Sequence, residues 1–256
     1  MKFEADSPLV SRVHRAANAE PRRDSAKPTL LILHYTGMSS AEKAIDWLSR
    51  PESGVSSHYV VDETGRVTQL VPESLRAWHA GVSCWHGKTD INSRSIGIEI
   101  HNPGHQHGYP EFPAAQMRGV IELCRDIVSR HNIKPEGVLA HSDVAPERKI
   151  DPGEKFNWAL LARQGLGHWV RPSPLRDGDA GLGNGATGEA VDLAQKLLAD
   201  YGYDVPRSGE LDAKMLKVLR AFQLHFRPMK CDGRLDHSTL QTLKRLVAAL
   251  PQAKTA

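Results

Sequence analysis

The spacing of apolar residues changes character several times along the chain. Residues 29–35, TLLILHY, form an unbroken apolar run after Lys27-Pro28, the pattern of a buried strand. Ser39-Ser40-Ala41-Glu42 has the form of a capping box, and Ala41, Ala44, Ile45 and Leu48 continue at helical spacing. His58 to Val61 and Arg66 to Val71 flank Asp62-Glu63-Thr64-Gly65 and predict a hairpin. Ser95 to Ile100 alternates, with Ile96, Ile98 and Ile100 facing one way and Ser95, Gly97 and Glu99 the other. Met117, Val120, Ile121, Cys124, Ile127 and Val128 share one face of a long helix, and Val138 to His141 is a last short strand. Strands interleaved with helices predict an α/β domain: a central mixed, partly parallel β-sheet flanked by helices.

The pattern then breaks. Pro172, Pro174 and a run of glycines from Gly178 to Gly188 predict a linker or exposed loop over 171–189. Beyond it three helical stripes follow: Leu193, Ala194, Leu197, Leu198 and Tyr201; Met215, Leu219, Phe222 and Phe226; Leu240, Leu243, Leu246 and Val247. Ser208-Gly209-Glu210-Leu211-Asp212 recurs 24 residues later as Asp232-Gly233-Arg234-Leu235-Asp236. In each copy the Gly makes a turn and the Asp is placed to cap a helix. The expected organisation is an N-terminal extension (1–28), an α/β domain (29–170), the linker (171–189) and a small C-terminal three-helix domain (190–250).

Composition narrows the classes. The 256 residues are 40% hydrophobic with a net charge of +3, which excludes a disordered or fibrous chain. No Lys/Arg run forms a basic arm, so no nucleic acid is expected as a partner. Cys84, Cys124 and Cys231 form no CxxC pair and imply neither a zinc ribbon nor a disulfide framework. No apolar stretch is long enough for a membrane span. Residues 1–28 carry Arg12, Arg15, Arg22 and Arg23 and lack the apolar segment of a Sec signal peptide.

Thirteen histidines are many for this length. His14, His131, His168, His225 and His237 fall near element ends or on polar faces and read as surface residues. Three other positions differ. His34 closes the first buried strand, His141 closes the last, and Asp151 follows in Lys149-Ile150-Asp151-Pro152-Gly153. Strand ends present side chains to a cleft, and two His with one carboxylate are a zinc set that leaves a fourth position open, as catalytic sites do. Taken singly, each has an ordinary alternative: a satisfied His at a strand end, an Asp serving a turn before Pro. A zinc hydrolase also needs a base and an oxyanion partner. Glu99, opposite the three isoleucines, is the candidate base, against a solvent-facing strand Glu. Lys149 would leave an extended loop on the same side as Asp151, against a solvated loop Lys.

The segments that carry these residues, in order, are Leu30 to Thr36, Ser56 to Asp62, Ala77-Trp78-His79-Ala80-Gly81, Asn92 to Ile100, and His141-Ser142-Asp143-Val144-Ala145-Pro146 through Lys149 to Asp151. Together they strongly resemble the zinc-dependent N-acetylmuramoyl-L-alanine amidases of the type-2 group. That group includes the AmpD/AmiD-like enzymes, the T7-type phage lysozymes and the animal peptidoglycan-recognition proteins. The helical tail resembles the peptidoglycan-binding type-1 domain. The resemblance implies Zn2+ held by His34, His141 and Asp151, with Glu99 as the base that activates water and Lys149 as the oxyanion partner. It also places Trp78, His79, Asn92 and Arg94 along the substrate groove, where a Trp stacks on a sugar or peptide and an Arg pairs with a carboxylate. The loop from His101 to Tyr109 is expected at the cleft edge. In the phage branch a Tyr that assists catalysis precedes the His of the second segment. Here that position is Ser57, with Tyr59 following, which points to the branch that uses Glu.

The expected function is hydrolysis of the amide joining N-acetylmuramic acid to L-alanine, with peptidoglycan and muropeptides as partners. The alternatives are a recognition protein without a metal and a metallopeptidase acting within the stem peptide. The expected compartment is the periplasm, reached by a specialised route or by lysis, because a wall-binding domain has no use where there is no wall. Cytoplasmic muropeptide recycling is the alternative.

Overall fold

The structure is a computed structural model that describes residues 3–251. Strands begin before Pro28: β1 (Val10–Val13) and β2 (Ala19–Pro21) lie in the segment read as an extension. Then come β3 (Leu30–Tyr35), α1 (Ala41–Ser49), β4 (Tyr59–Val61), β5 (Val67–Gln69) and β6 (Leu75–Ala77). The turn α2 (Ile91–Arg94), β7 (Ser95–Ile100), the long α3 (Ala114–His131), β8 (Val138–Ala140), the turn α4 (His141–Val144) and α5 (Trp158–Arg163) complete the α/β unit. Six strands form a mixed sheet in the order β1-β5-β4-β7-β3-β8, while β2 and β6 pair separately. Within the six, β4 and β5 form the antiparallel hairpin and the remaining neighbours run parallel. Ser40 rather than Ser39 caps α1, accepting the Lys43 N–H at 3.2 Å, and Glu42 turns instead to Arg12 at 2.9 Å.

Residue alternation decides what each sheet face holds. Leu31, Leu33, Ile96, Ile98 and Ile100 pack against Met117, Val120, Cys124 and Ile127 of α3 in the main core. Ile32, His34, Gly97 and Glu99 take the opposite face. There the apolar core runs from Ile32 and Leu139 through Trp85 and Val144 into the C-terminal helices.

Those helices are α6 (Glu189–Tyr201), α7 (Ala213–Phe226) and α8 (His237–Ala248). Asp212 and Asp236 cap α7 and α8, each accepting a backbone N–H at 2.7 Å. The sequence echo is a repeated clasp. Gln195 and Gln223 each donate to a turn carbonyl, Glu210 O and Arg234 O, and each accept the N–H of the turn glycine, Gly209 or Gly233.

The segment 171–189, expected as a linker, does not run free. Leu182 pairs with Leu235 and Thr187 with Glu210, and the Ser173 N–H bonds Thr242 Oγ1 at 2.9 Å. Nor does the helical unit hang apart from the α/β unit. Trp85 packs edge-on against Tyr201 and Tyr203, and Tyr201 Oη lies 3.1 Å from His168 Nδ1. The ring of Trp158 stacks on His225 with centroids 3.7 Å apart. His225, read from the sequence as a surface residue, is 2% exposed. Nothing in its local sequence announces this, because the rings and carboxylate that enclose it come mostly from the other unit.

Candidate metal centre and cleft

The parallel strands β7, β3 and β8 end side by side, and register makes the site. His34 pairs with Glu99, and Leu33 with Ala140, so His141 emerges next to His34 at the carboxyl edge of the sheet. Open α/β sheets bind ligands at that edge. The loop after α4 returns Asp151 to the same point, where its carbonyl accepts the Ser142 N–H at 3.0 Å. The three side chains converge: His34 Nδ1 to His141 Nδ1 is 2.9 Å, His141 Nδ1 to Asp151 Oδ2 is 2.9 Å, and His34 Nδ1 to Asp151 Oδ2 is 3.3 Å.

The hydrogen-bond network fixes which ring nitrogens carry protons. Ser95 Oγ–H donates to Ile91 O at 2.7 Å, so Ser95 Oγ can only accept from His79 Nε2 at 3.1 Å. Burial, then the neighbouring His34 and His58, hold His79 neutral, which leaves its Nδ1 a bare acceptor. His34 Nε2–H therefore donates to His79 Nδ1 at 3.0 Å. His34 is also neutral, its pKa lowered to about 4 by burial and by His141. Its Nδ1 consequently presents a lone pair. His141 Nε2 faces Ala80 O at 3.2 Å and must donate to it, which in the neutral ring frees Nδ1 as well. Burial alone would raise the pKa of Asp151; proton-bearing imidazoles at His141 and His34 outweigh it and hold the carboxyl well below its usual range, a part that a cation at the same point would take over once both Nδ1 atoms are bare.

Two lone pairs and a carboxylate oxygen thus face one another across about 3 Å. Without a cation that arrangement is repulsive. Bonds of about 2.0–2.1 Å to a tetrahedral zinc ion separate the donor atoms by about 3.3 Å, close to the spacing found. The His79–His34 and Ala80–His141 bonds are the supports that metal-binding imidazoles require. Among the described residues, these three form the group with metal-binding spacing.

An open cleft of about 500 Å³ lies over the triad, with Tyr35, Trp47, Trp78, Glu99, His105 and Lys149 among its walls. Burial pushes the Glu99 carboxyl well above its usual range, the Asp151 charge adds to the shift, and Lys149 opposes it. Glu99 Oε2 and Trp78 Nε1 are buried without a protein partner. Trp47 (42% exposed) and Val55 (38%) give one rim an apolar surface.

The other groove residues separate by role. His79 lies at the cleft floor, but its ring nitrogens are engaged by His34 and Ser95. Asn92 is buried and uses Oδ1 to hold the N–H groups of His79 and Ala80, at 3.1 and 2.8 Å. Arg94 precedes β7 at the end opposite Glu99, roughly 17 Å away along the strand, and the structure does not bring it to the cleft. Ser57 Oγ donates to Gly97 O at 2.8 Å, and Tyr59 Oη to Glu73 in the core at 2.6 Å. In the His101–Tyr109 loop, His105 sits between Tyr35 Oη and Glu154 and stacks on Tyr109. Two contributors escape sequence reasoning. Ser95 sets the His79 tautomer, and Arg148 binds the carbonyls of Ala80 and Val82, fixing the segment that supports His141. The adjacency of Arg148 to Lys149 was the available signal.

Comparison with known proteins agrees with this geometry. The N-acetylmuramoyl-L-alanine amidase family model matches residues 24–154, and a peptidoglycan binding domain model matches residues 187–243. The chain is 41% identical over 224 residues to the N-acetylmuramoyl-L-alanine amidase AmiD of Escherichia coli K12, covering 82% of this chain and 79% of that protein. It is 30% identical over 155 residues to the 1,6-anhydro-N-acetylmuramyl-L-alanine amidase AmpD of the same organism, covering 54% of this chain and 82% of AmpD. A solved complex of E. coli AmiD with the substrate anhydro-N-acetylmuramic acid-L-Ala-D-gamma-Glu-L-Lys superposes with a TM-score of 0.76 at 38% identity, over 94% of both chains. The crystal structure of AmpDh3 from Pseudomonas aeruginosa gives a TM-score of 0.74 at 28% identity, over 98% of this chain and 99% of that one.

Proposed function

Since the chain belongs to the N-acetylmuramoyl-L-alanine amidase family, we propose that Zn2+ held by His34, His141 and Asp151 serves its hydrolysis of peptidoglycan. The protein is an amidase that cleaves the amide between N-acetylmuramic acid and L-alanine of the stem peptide. The observation that carries the metal reading is the pair of Nδ1 lone pairs and the carboxylate aimed at one point. When bound, zinc supplies Lewis acidity toward the scissile carbonyl and toward water. The remaining steps belong to side chains. Glu99 stands over the site with a free Oε2 and a raised pKa, suited to take a proton from the attacking water and return it to the leaving nitrogen. Lys149, whose charge reaches both Glu99 and His34, stabilises the oxyanion. Trp78 offers its free Nε1 to a substrate acceptor.

We place the activity on polymeric peptidoglycan in the periplasm. The support is the helical unit, which matches a peptidoglycan binding domain and packs beside the catalytic unit. Digestion of purified sacculi, with product ends identified by mass spectrometry and metal content measured, tests the reading. Free L-alanine amino termini and about one zinc per chain are expected. Cuts within the stem peptide, or full activity in metal-free protein, would overturn it.

A further inference from the structure

Asp143 is fully buried two residues beyond His141. Its Oδ2 accepts the N–H of Ala140 at 2.8 Å, closing the α4 turn that begins with His141. Its other hydrogen bonds come from the helical unit. Tyr203 Oη donates to Oδ1 at 2.5 Å, and His225 Nδ1 donates to Oδ2 at 2.7 Å. The His225 ring is itself held between Trp158 and Phe226, with centroids 3.7 and 3.8 Å away.

A buried carboxylate with a single donor would be costly, and would reorient or draw in water. We infer that the helical unit is a positioning element of the metal centre, with Tyr203 and His225 as its positioning residues. They fix Asp143, Asp143 fixes the α4 turn, and the turn sets His141. Through the Ser142 N–H to the Asp151 carbonyl, at 3.0 Å, the same turn also holds Asp151. The unit that matches a wall-binding domain thereby shapes two of the three ligands without touching the cleft. This inference rests on the zinc reading above. The rival account is that the contact merely fastens the two units together.

Full-length variants separate the accounts. Tyr203→Phe removes one oxygen, and His225→Phe keeps a ring in the stack while removing the donor. Tyr201→Phe removes a different hydroxyl from the same interface, the one 3.1 Å from His168. Zinc affinity is read by chelator competition, turnover on soluble muropeptide at limiting and saturating zinc, and wall binding by sedimentation with sacculi. Outer partners of metal ligands typically change affinity about 10- to 100-fold. Tyr203→Phe and His225→Phe should each raise the zinc dissociation constant about tenfold, lower turnover at limiting zinc and leave KM and sedimentation unchanged. Tyr201→Phe should keep the parental zinc affinity. If His225→Phe folds poorly, Tyr203→Phe alone decides. A parent that binds no zinc refutes the metal reading and this inference with it. A parent that binds zinc, with the two variants within twofold of it or Tyr201→Phe equally weakened, refutes the inference alone.

Discussion

Gly97→Ala is a small change that reaches the candidate metal centre from beneath. Gly97 has an ordinary backbone conformation, so its need for glycine is a matter of space. An added Cβ would lie 2.5 Å from His79 Cγ and 2.7 Å from its Cδ2 and Nδ1. Carbon atoms in contact sit about 3.5–4.0 Å apart, so the ring must retreat by about 1 Å. Overpacking of that kind costs about 1–3 kcal/mol. In a chain of this size each kcal/mol lowers Tm by about 2–4 °C. The retreat also breaks the 3.0 Å bond from His34 Nε2 to His79 Nδ1, so zinc affinity should fall about 10- to 100-fold. Calorimetry of the metal-free protein and chelator competition measure the two effects separately. Adding His79→Ala to Gly97→Ala removes the clash but not the lost support, so zinc should stay weakly bound. Parental Tm together with parental zinc affinity in Gly97→Ala would refute the packing argument.

Glu99→Ala should retain zinc and fold while losing about 10²- to 10⁴-fold in turnover; near-parental turnover would remove it from the chemistry. Lys149→Met should lower kcat more than it raises KM, and a pure KM effect would make it a substrate-binding residue. Stability should fall on acidification. Burial lowers the His58 pKa from 6.5 to about 3, so the unfolded chain takes up a proton that the folded one refuses as pH drops below 6.5. Against its burial, Glu73 is held at about 2 by Arg130, His131 and Tyr59, and its contribution is lost as pH falls from 4.5 toward 2. Denaturant melts should show a decline that starts near pH 6.5 and steepens below 4.5; constant stability between pH 7 and 4 would contradict the His58 assignment, and no steepening below 4.5 that of Glu73. Truncation at Asp177 should lower Tm and reduce cleavage of soluble and polymeric substrate alike, because it uncovers Trp85, Trp158 and Asp143. Unchanged turnover on soluble muropeptide would show that the helices are dispensable to the α/β unit.

The elements legible in the sequence are those whose own pattern suffices. β3, β7 and α3 carry apolar runs or stripes long enough to announce themselves, and His34 and His141 stand out at strand ends, with Asp151 ten residues beyond the second. β1, β2 and β6 are three or four residues long and partly exposed, and only their partners make them strands. The supports of the metal centre stayed hidden for a related reason. A ring's orientation depends on neighbours distant in sequence, as His34 depends on His79 and Ser95. The glycines of 171–189 do mark an exposed loop, but that loop is also pinned, because a small residue has two uses: Gly178, Gly185 and Gly188 stand in open space, and others are packed. A Cβ on Gly181 would meet the Asp236 backbone nitrogen at 2.9 Å, and one on Gly183 would meet the Arg234 guanidinium at 2.5 Å. These positions are small because they are crowded.

The outermost strand of the sheet bears on behaviour in concentrated solution. If the sheet stopped at β5, Val67–Gln69 would present a row of unpaired amides and carbonyls, a template for strands of other molecules. Residues 10–13 cover that row, and they do so with a strand that is poor bait. It is four residues long, its register shifts between Val10 and Arg12, and Arg12 places a charge on it, paired with Glu42. The segment before Pro28, unremarkable in hydrophobicity, thus guards the molecule against self-association. Trimming residues 1–13 alone would uncover that row and yield a protein prone to precipitate.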